Sequence, residues 1–120
     1  MNETTVQAPA MRQVNSRLFV GPQPLPEHLA TLKAHGFASV INNRPDNEGG
    51  PGQPSSDEIE SAAHAVGLAY QHLPVSSQFQ ADDDARRMLD LVWALPSPVY
   101  AYCRTGNRAE ALYRKGQQLG

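Results

Sequence analysis

The chain has 120 residues, enough for one domain whose core needs no disulfide or metal staple. Hydrophobic residues make up 40% and charged residues 18%, with a formal net charge of −2. That balance argues against a nucleic-acid binder, which carries a basic surplus, and no run reaches the ~18 apolar residues of a membrane span.

Residues 1–14 (MNETTVQAPAMRQV) are polar and lack the apolar stretch of a secretory signal, so they read as a flexible N-terminal arm ahead of a single domain over residues 15–120. Leu18, Phe19 and Val20 form a short first strand, stopped by Gly21-Pro22. Pro24 and Pro26 suit a helix entry, where a missing N–H costs nothing. That helix runs to about His35, with Gly36 as its left-handed cap. Phe37 to Asn42 is a second strand.

A loop dense in Gly and Pro follows. Ser55 and Glu58 have capping-box spacing. Ile59, Ala62, Ala63 and Val66 recur at i, i+3, i+4 and i+7, which predicts a helix ended by Gly67. Leu68 to Val75 reads as a third strand running into a loop. Asp82, Asp83 and Asp84 open another helix at its positive dipole end, with Ala85, Met88, Leu89 and Val92 on its apolar face. Pro98 to Cys103 (PVYAYC) is a continuous apolar run, the pattern of a central strand buried on both faces. Arg108 to Leu119 forms the last helix. Alternating strands and helices predict an α/β fold with a mainly parallel sheet of four to five strands flanked by helices. Ligands in such sheets bind beyond the carboxyl ends of the strands.

Cys103-Arg104-Thr105-Gly106-Asn107-Arg108 lies at such an end. A loop wrapping from a strand into a helix N-terminus points several backbone N–H groups at one place, an anion nest. Gly106 permits a positive φ or a close backbone approach. Arg108 can fork onto two oxygens of an oxyanion. The same field favours a thiolate, and a thiolate under an anion nest is an arrangement for covalent catalysis. Cys103 and Arg108 are therefore the catalytic candidates, with Arg104, Thr105, Gly106 and Asn107 as the anion-binding loop.

Asn43, Arg44 and Asp46, after the second strand, are candidate pocket residues, Arg44 as an attractor of anions. A plain turn is the competing reading, since Arg44 precedes Pro45 and Asp46 is a turn former. His72 reads as a satisfied structural histidine, Trp93 as core or rim packing, and the Gly/Pro-rich loop from Glu48 to Pro54 as a passive connection or a lid. His28, His35, His64 and His72 lack zinc-type spacing, and neither metal nor cofactor is expected.

The segments SRLFVGPQPLPEHLATLKAHGFASVINNRPDNE, GQPS, GLAYQHLPV and PVYAYCRTGNR resemble the bacterial beta-lactamase-hydrolase-like, phosphatase-like domain family, from about Arg12 to the C-terminus. The resemblance implies a dual-specificity-phosphatase-like α/β fold and a cysteine nucleophile. Members of that family are described both as phosphatases and as sulfurtransferases, and some are fused to persulfide-metabolising enzymes.

The loop itself differs from the tyrosine-phosphatase pattern. Arg108 follows Cys103 after four residues where those enzymes have five, and the Cys-Arg-x-Gly-x-Arg spacing matches many rhodaneses. Dual-specificity phosphatases commonly carry an Asp general acid just after a strand like His72-Leu73-Pro74-Val75; here Ser76 and Ser77 stand there. Ala109 replaces the usual Ser or Thr after the arginine, and Tyr102 the usual His before the cysteine. Asp82, Asp83 and Asp84 would serve as acids only if their loop folds back.

Sulfur transfer does without such an acid, because thiolate and sulfite leave more readily than alkoxide. The leading expectation is a rhodanese-type sulfurtransferase working through a Cys103 persulfide on a small anionic sulfur donor. The alternatives are a tyrosine or dual-specificity phosphatase taking a phosphorylated substrate, and a non-catalytic anion sensor. The single cysteine cannot form an internal disulfide, and the default location is cytoplasmic.

Overall fold

The computed structural model describes residues 8–120. Its elements are β1 (Arg12–Gln13), β2 (Leu18–Gly21), α1 (His28–Ala34), β3 (Ser39–Asn42), α2 (Ser56–Ala65), β4 (Ala69–His72), α3 (Asp82–Ala94), β5 (Val99–Tyr102) and α4 (Asn107–Leu119). The five strands form one sheet in the order β1-β2-β5-β3-β4. β2, β5, β3 and β4 are parallel, and only β1 runs antiparallel to its neighbour. This is the cysteine-phosphatase-like α/β architecture expected from the sequence.

β5 is central, and every residue in it is buried. Its side chains alternate between two cores, as strand geometry requires. Val99 and Ala101 face Leu18, Val20 and Ile41, over which α3 and α4 place Met88, Val92, Leu112 and Tyr113. Tyr100 and Tyr102 face Phe37 and Val40, covered by Leu29 and Leu32 of α1 and Ile59 and Ala63 of α2. The apolar run of β5 thus has its physical cause in helices on both faces.

α2 begins with a complete capping box: the Ser55 side chain accepts from the Glu58 N–H, and the Glu58 carboxylate accepts from the Ser55 N–H. Gly36 and Gly67 adopt φ of 97° and 83° after their helices, as caps in the left-handed region do. α1 starts later than the prolines suggest. Residues 25–27 form a turn in which Leu25 O accepts from His28 N–H, and the His28 ring accepts from Leu25 N–H.

The N-terminal boundary also differs from expectation. Arg12 and Gln13, placed in the arm by their polarity, pair with Val20 and Phe19 as an edge strand. The backbone edge of β2 supplies this pairing, and hydropathy does not register it. Arg12 is fastened further by its guanidinium, which donates to Glu110 Oε1 at 2.9 Å and Asn107 Oδ1 at 2.7 Å on α4. The expected arm over residues 1–7 lies outside the described residues.

Candidate active site

The parallel register lines up the carboxyl ends of four strands. Gly21, Tyr102, Asn42 and His72 stand in one row across the sheet, each paired with its neighbour. The chain leaves the sheet immediately beyond that row, which brings Cys103, Asn43 and Leu73 to the same edge. Asn43 N–H donates to Tyr102 O at 2.8 Å, and Asn43 Nδ2 donates to Leu73 O at 3.1 Å. These bonds fix the exit of β5 to the exits of β3 and β4.

After Cys103 the chain turns tightly into α4. Gly106 sits at φ 98°, and a Cβ there would lie 2.8 Å from both the N and Cα of Gly21. The loop therefore rests backbone to backbone on the end of β2, and only glycine satisfies both the angle and the contact. This geometry brings Gly106 N–H to 3.0 Å from Cys103 Sγ, as a donor to the sulfur. Asn107 N–H is taken by the Thr105 hydroxyl at 3.3 Å. Beneath the loop, Tyr100 donates to Pro22 O at 2.6 Å. Burial, and then the charge of Cys103, push the Tyr100 phenol well above its ordinary value, so it remains a neutral support.

Arg108, on the first turn of α4, is 9% exposed. Its Nη1 donates to Val75 O at 2.9 Å. Nη1 and Nη2 also meet the two carboxylate oxygens of Glu48, each at 3.0 Å. Nε is buried without a partner among the described residues. The donors left over are Nε–H and the second hydrogen of Nη2, which share one edge of the planar group. Val75 and Glu48 thus hold the guanidinium in place and leave a two-pronged edge unused. A buried unpaired donor is costly, and an oxyanion would satisfy it.

Glu48 also accepts from Arg44 Nε at 3.0 Å, and Arg44 Nη1 donates to Gln23 Oε1 at 3.2 Å. Burial alone would raise the Glu48 carboxyl, but hydrogen bonds from Arg108 and Arg44 outweigh it and hold the group below its ordinary value. Glu48 is therefore an ionised brace between two arginines.

Cys103, Arg104, Thr105, Asn107 and Arg108 line an open cleft of about 350 Å³ together with Ser77, Gln80 and Ala111. A second cleft of about 390 Å³ adjoins it and shares Ser77, Arg104 and Arg108, adding Arg44 and Glu48. The structure thus brings Arg44 to the cleft, as a brace for Glu48. Gly106 forms the floor of the turn. Asn43 is fully buried behind the loop and lines neither cleft. Asp46 is also outside both: its Oδ1 accepts from Ser56 N–H at the start of α2. These two residues of the expected pocket act on the backbone, through the strand exit and the helix start.

The three aspartates stay at the head of α3. Asp82 pairs with Lys115 at 3.3 Å and Asp83 with Arg86 at 3.4 Å, and none of the three lines the Cys103 cleft. His72 has its Nε2 hydrogen-bonded to Arg44 O at 2.9 Å. Trp93 stands 59% exposed at the rim, with the Arg17 guanidinium 4.9 Å above its ring. Among the described residues, no three His, Cys, Asp or Glu side chains cluster as metal ligands, and no helix is long and apolar enough to cross a membrane.

Two contributors to the site, Glu48 and Gly21, carry little local signal in the sequence. Glu48 was legible only as the edge of a Gly-rich loop, although its spacing of four from Arg44 hinted at a pair. In the sequence alone, Gly21 marks only a strand stop. Its role as the floor beneath Gly106 depends on the β2–β5 pairing, which no local signal carries.

The family model for the phosphatase-like domain of beta-lactamase hydrolase-like proteins matches residues 10–120. A beta-lactamase hydrolase-like protein of Agrobacterium fabrum is 39% identical over 107 residues, which cover 89% of this chain and 25% of that protein. The chain thus spans about a quarter of the length of the curated relatives it matches. A candidate phosphatase of Neisseria meningitidis superposes with a TM-score of 0.78 at 28% identity, covering 84% of this chain and 71% of that one. TpbA of P. aeruginosa, solved in complex with pTyr, superposes with a TM-score of 0.64 at 15% identity over 85% of this chain and 58% of its own, a likeness of fold.

Proposed function

The chain belongs to the family of phosphatase-like domains of beta-lactamase hydrolase-like proteins, and we propose that it is a cysteine-dependent phosphatase-type unit in which Cys103 attacks phosphorus while Arg108 holds the oxygens. The observation that carries this reading is the free Nε–Nη2 edge of a buried arginine beside a buried cysteine whose sulfur already accepts from the Gly106 N–H. A phosphoryl group fits that edge with two oxygens, and the sulfur lies in the same cleft. The family and the phosphatase-type neighbours support this reading, and the pTyr bound to TpbA makes a phosphorylated substrate the reasonable class. They lend no support to the sulfur-transfer lean of the sequence.

In the proposed course, the Cys103 thiolate displaces the leaving group and becomes a cysteinyl-phosphate. Loop amides and Arg108 stabilise the charge on the equatorial oxygens, and water then cleaves the S–P bond. Sulfur transfer through a Cys103 persulfide remains the second reading, favoured by the four-residue spacing and by a cleft without a free carboxylic acid.

Phosphate release from p-nitrophenyl phosphate, measured beside sulfur transfer from thiosulfate to cyanide, separates the two. The phosphatase reading predicts release by the wild type, loss of it in Cys103→Ser, and little thiosulfate turnover. Turnover of thiosulfate alone would establish the second reading in its place. Phosphate binding that persists in Cys103→Ser, with no turnover of either compound by the wild type, would make the domain a sensor.

A further inference from the structure

The leaving-group side of the cleft has an unusual charge pattern. Apart from Cys103, Asn107 and Arg108, the cleft is lined by Ser77, Gln80, Arg104, Thr105 and Ala111. Neither a serine hydroxyl nor an amide can deliver a proton at neutral pH. Glu48, which lines the adjoining cleft, is kept ionised by two arginines, and Asp82 is turned toward Lys115. Among the described residues, nothing lining the cleft can protonate a departing oxygen.

Positive charge is present instead. Arg104 is exposed and makes no hydrogen bond or ion pair among the described residues. It borders the Cys103 cleft and the adjoining cleft of Arg44 and Arg108. Arg44 and Arg108 share the one Glu48 carboxylate, and Arg104 is ion-paired with none of the described residues. A site with an uncommitted guanidinium and no acid suits a leaving group that departs as a stable anion.

Resting on the phosphatase reading, we infer that the substrate is a terminal phosphoanhydride, a diphosphate whose leaving group departs as a phosphate anion onto Arg104 and needs no donated proton. The Cys103 thiolate forms the S–P bond to the terminal phosphorus. The bond from that phosphorus to the bridging oxygen breaks, and its electron pair leaves with the second phosphate. Water then attacks the cysteinyl-phosphate; the S–P pair returns to sulfur, and dihydrogen phosphate carries off both hydrogens of the water. A phosphate monoester as leaving group has a conjugate acid with pKa about 6, against about 10 for a phenol. General-acid help is worth ~10²–10⁴-fold for a basic leaving group, and this cleft forgoes it.

The test compares inorganic diphosphate, p-nitrophenyl phosphate and phenyl phosphate, without divalent metal, on wild type and Arg104→Gln. For the wild type, kcat/KM on diphosphate should exceed that on phenyl phosphate by about 10²-fold or more. Arg104→Gln should lose about tenfold more on diphosphate than on p-nitrophenyl phosphate. Phenyl phosphate turned over as fast as diphosphate, diphosphate ignored while the aryl esters react, or an equal loss on both in the variant would each overturn the inference alone. No turnover of any of the three by folded wild type would instead overturn the phosphatase reading, and the inference with it.

Discussion

The cleft has two walls made by very different means. Cys103–Arg108 is a wall pinned through its second half: Gly106 lies on the backbone of Gly21, Asn107 is held by Arg12, and Arg108 by Val75 and Glu48. Residues 76–81, which reach the cleft through Ser77 and Gln80, are joined partly to themselves and, through Gln80 O, to Lys115 of α4. Gln78 N–H donates to the Ser76 hydroxyl, Gln80 Nε2 donates to Ser76 O, and Phe79 stands 73% exposed. An oxyanion cradle must be preorganised, because its worth lies in dipoles that do not reorganise during the reaction. A wall with no proton to give has no such requirement. Under the proposed function, the preorganised part of the cleft is the part that carries the nucleophile.

Perturbing the pinned wall should have the largest effects. Arg108→Lys keeps the charge and removes the planar fork, so kcat should fall ~10²–10³-fold while circular dichroism stays native. Full turnover in that variant would contradict the cradle. Gly106→Ala forces a Cβ against Gly21 at a left-handed φ. It should cost ~1–3 kcal/mol in urea unfolding, with loss of activity ahead of loss of fold.

Glu48→Gln tests the brace, with about a tenfold fall in activity expected as Arg108 loses its fixed orientation. The sign of its pH effect follows from the lowered carboxyl. The native pairing contributes fully above the ordinary glutamate value of 4.5 and is lost as pH falls through the lower folded value. Acid unfolding of the wild type should therefore be steeper than that of Glu48→Gln; identical profiles would remove Glu48 from the brace.

The smallest effect belongs to the open wall. Ser77→Asp adds a carboxylic acid to the cleft lining. It should speed phenyl phosphate turnover a few-fold at acid pH and leave p-nitrophenyl phosphate nearly unchanged, because only the basic leaving group benefits. A loss on both substrates would show that the open wall is shaped after all.

Much of the pinned wall was legible in the chain itself. The apolar run before Cys103 announced a doubly covered strand, and Gly106 between two arginines announced a tight turn into a helix. The Ser55–Glu58 box and the glycine caps likewise fixed helix ends by local chemistry. What escaped were contacts made at long range. The Arg12–Gln13 strand owes its existence to the edge of β2, the Gly21 floor to strand order, and the Arg44–Glu48–Arg108 chain to a loop that folds across 60 residues of sequence. Asn43 and Asp46 read as pocket residues in the sequence because they follow the second strand, within the segment that carries the family resemblance. Here they satisfy backbone groups instead, an equally good use for an amide or a carboxylate.

The central claim is that Cys103 becomes covalently phosphorylated. It is tested most directly by intact-protein mass after wild type is mixed briefly with p-nitrophenyl phosphate and quenched in acid, with Cys103→Ser as control. The account predicts a transient gain of about 80 Da on the wild type alone, mapping to the Cys103 peptide and discharged by water. Phosphate release without that adduct, or an equal adduct on Cys103→Ser, would contradict it.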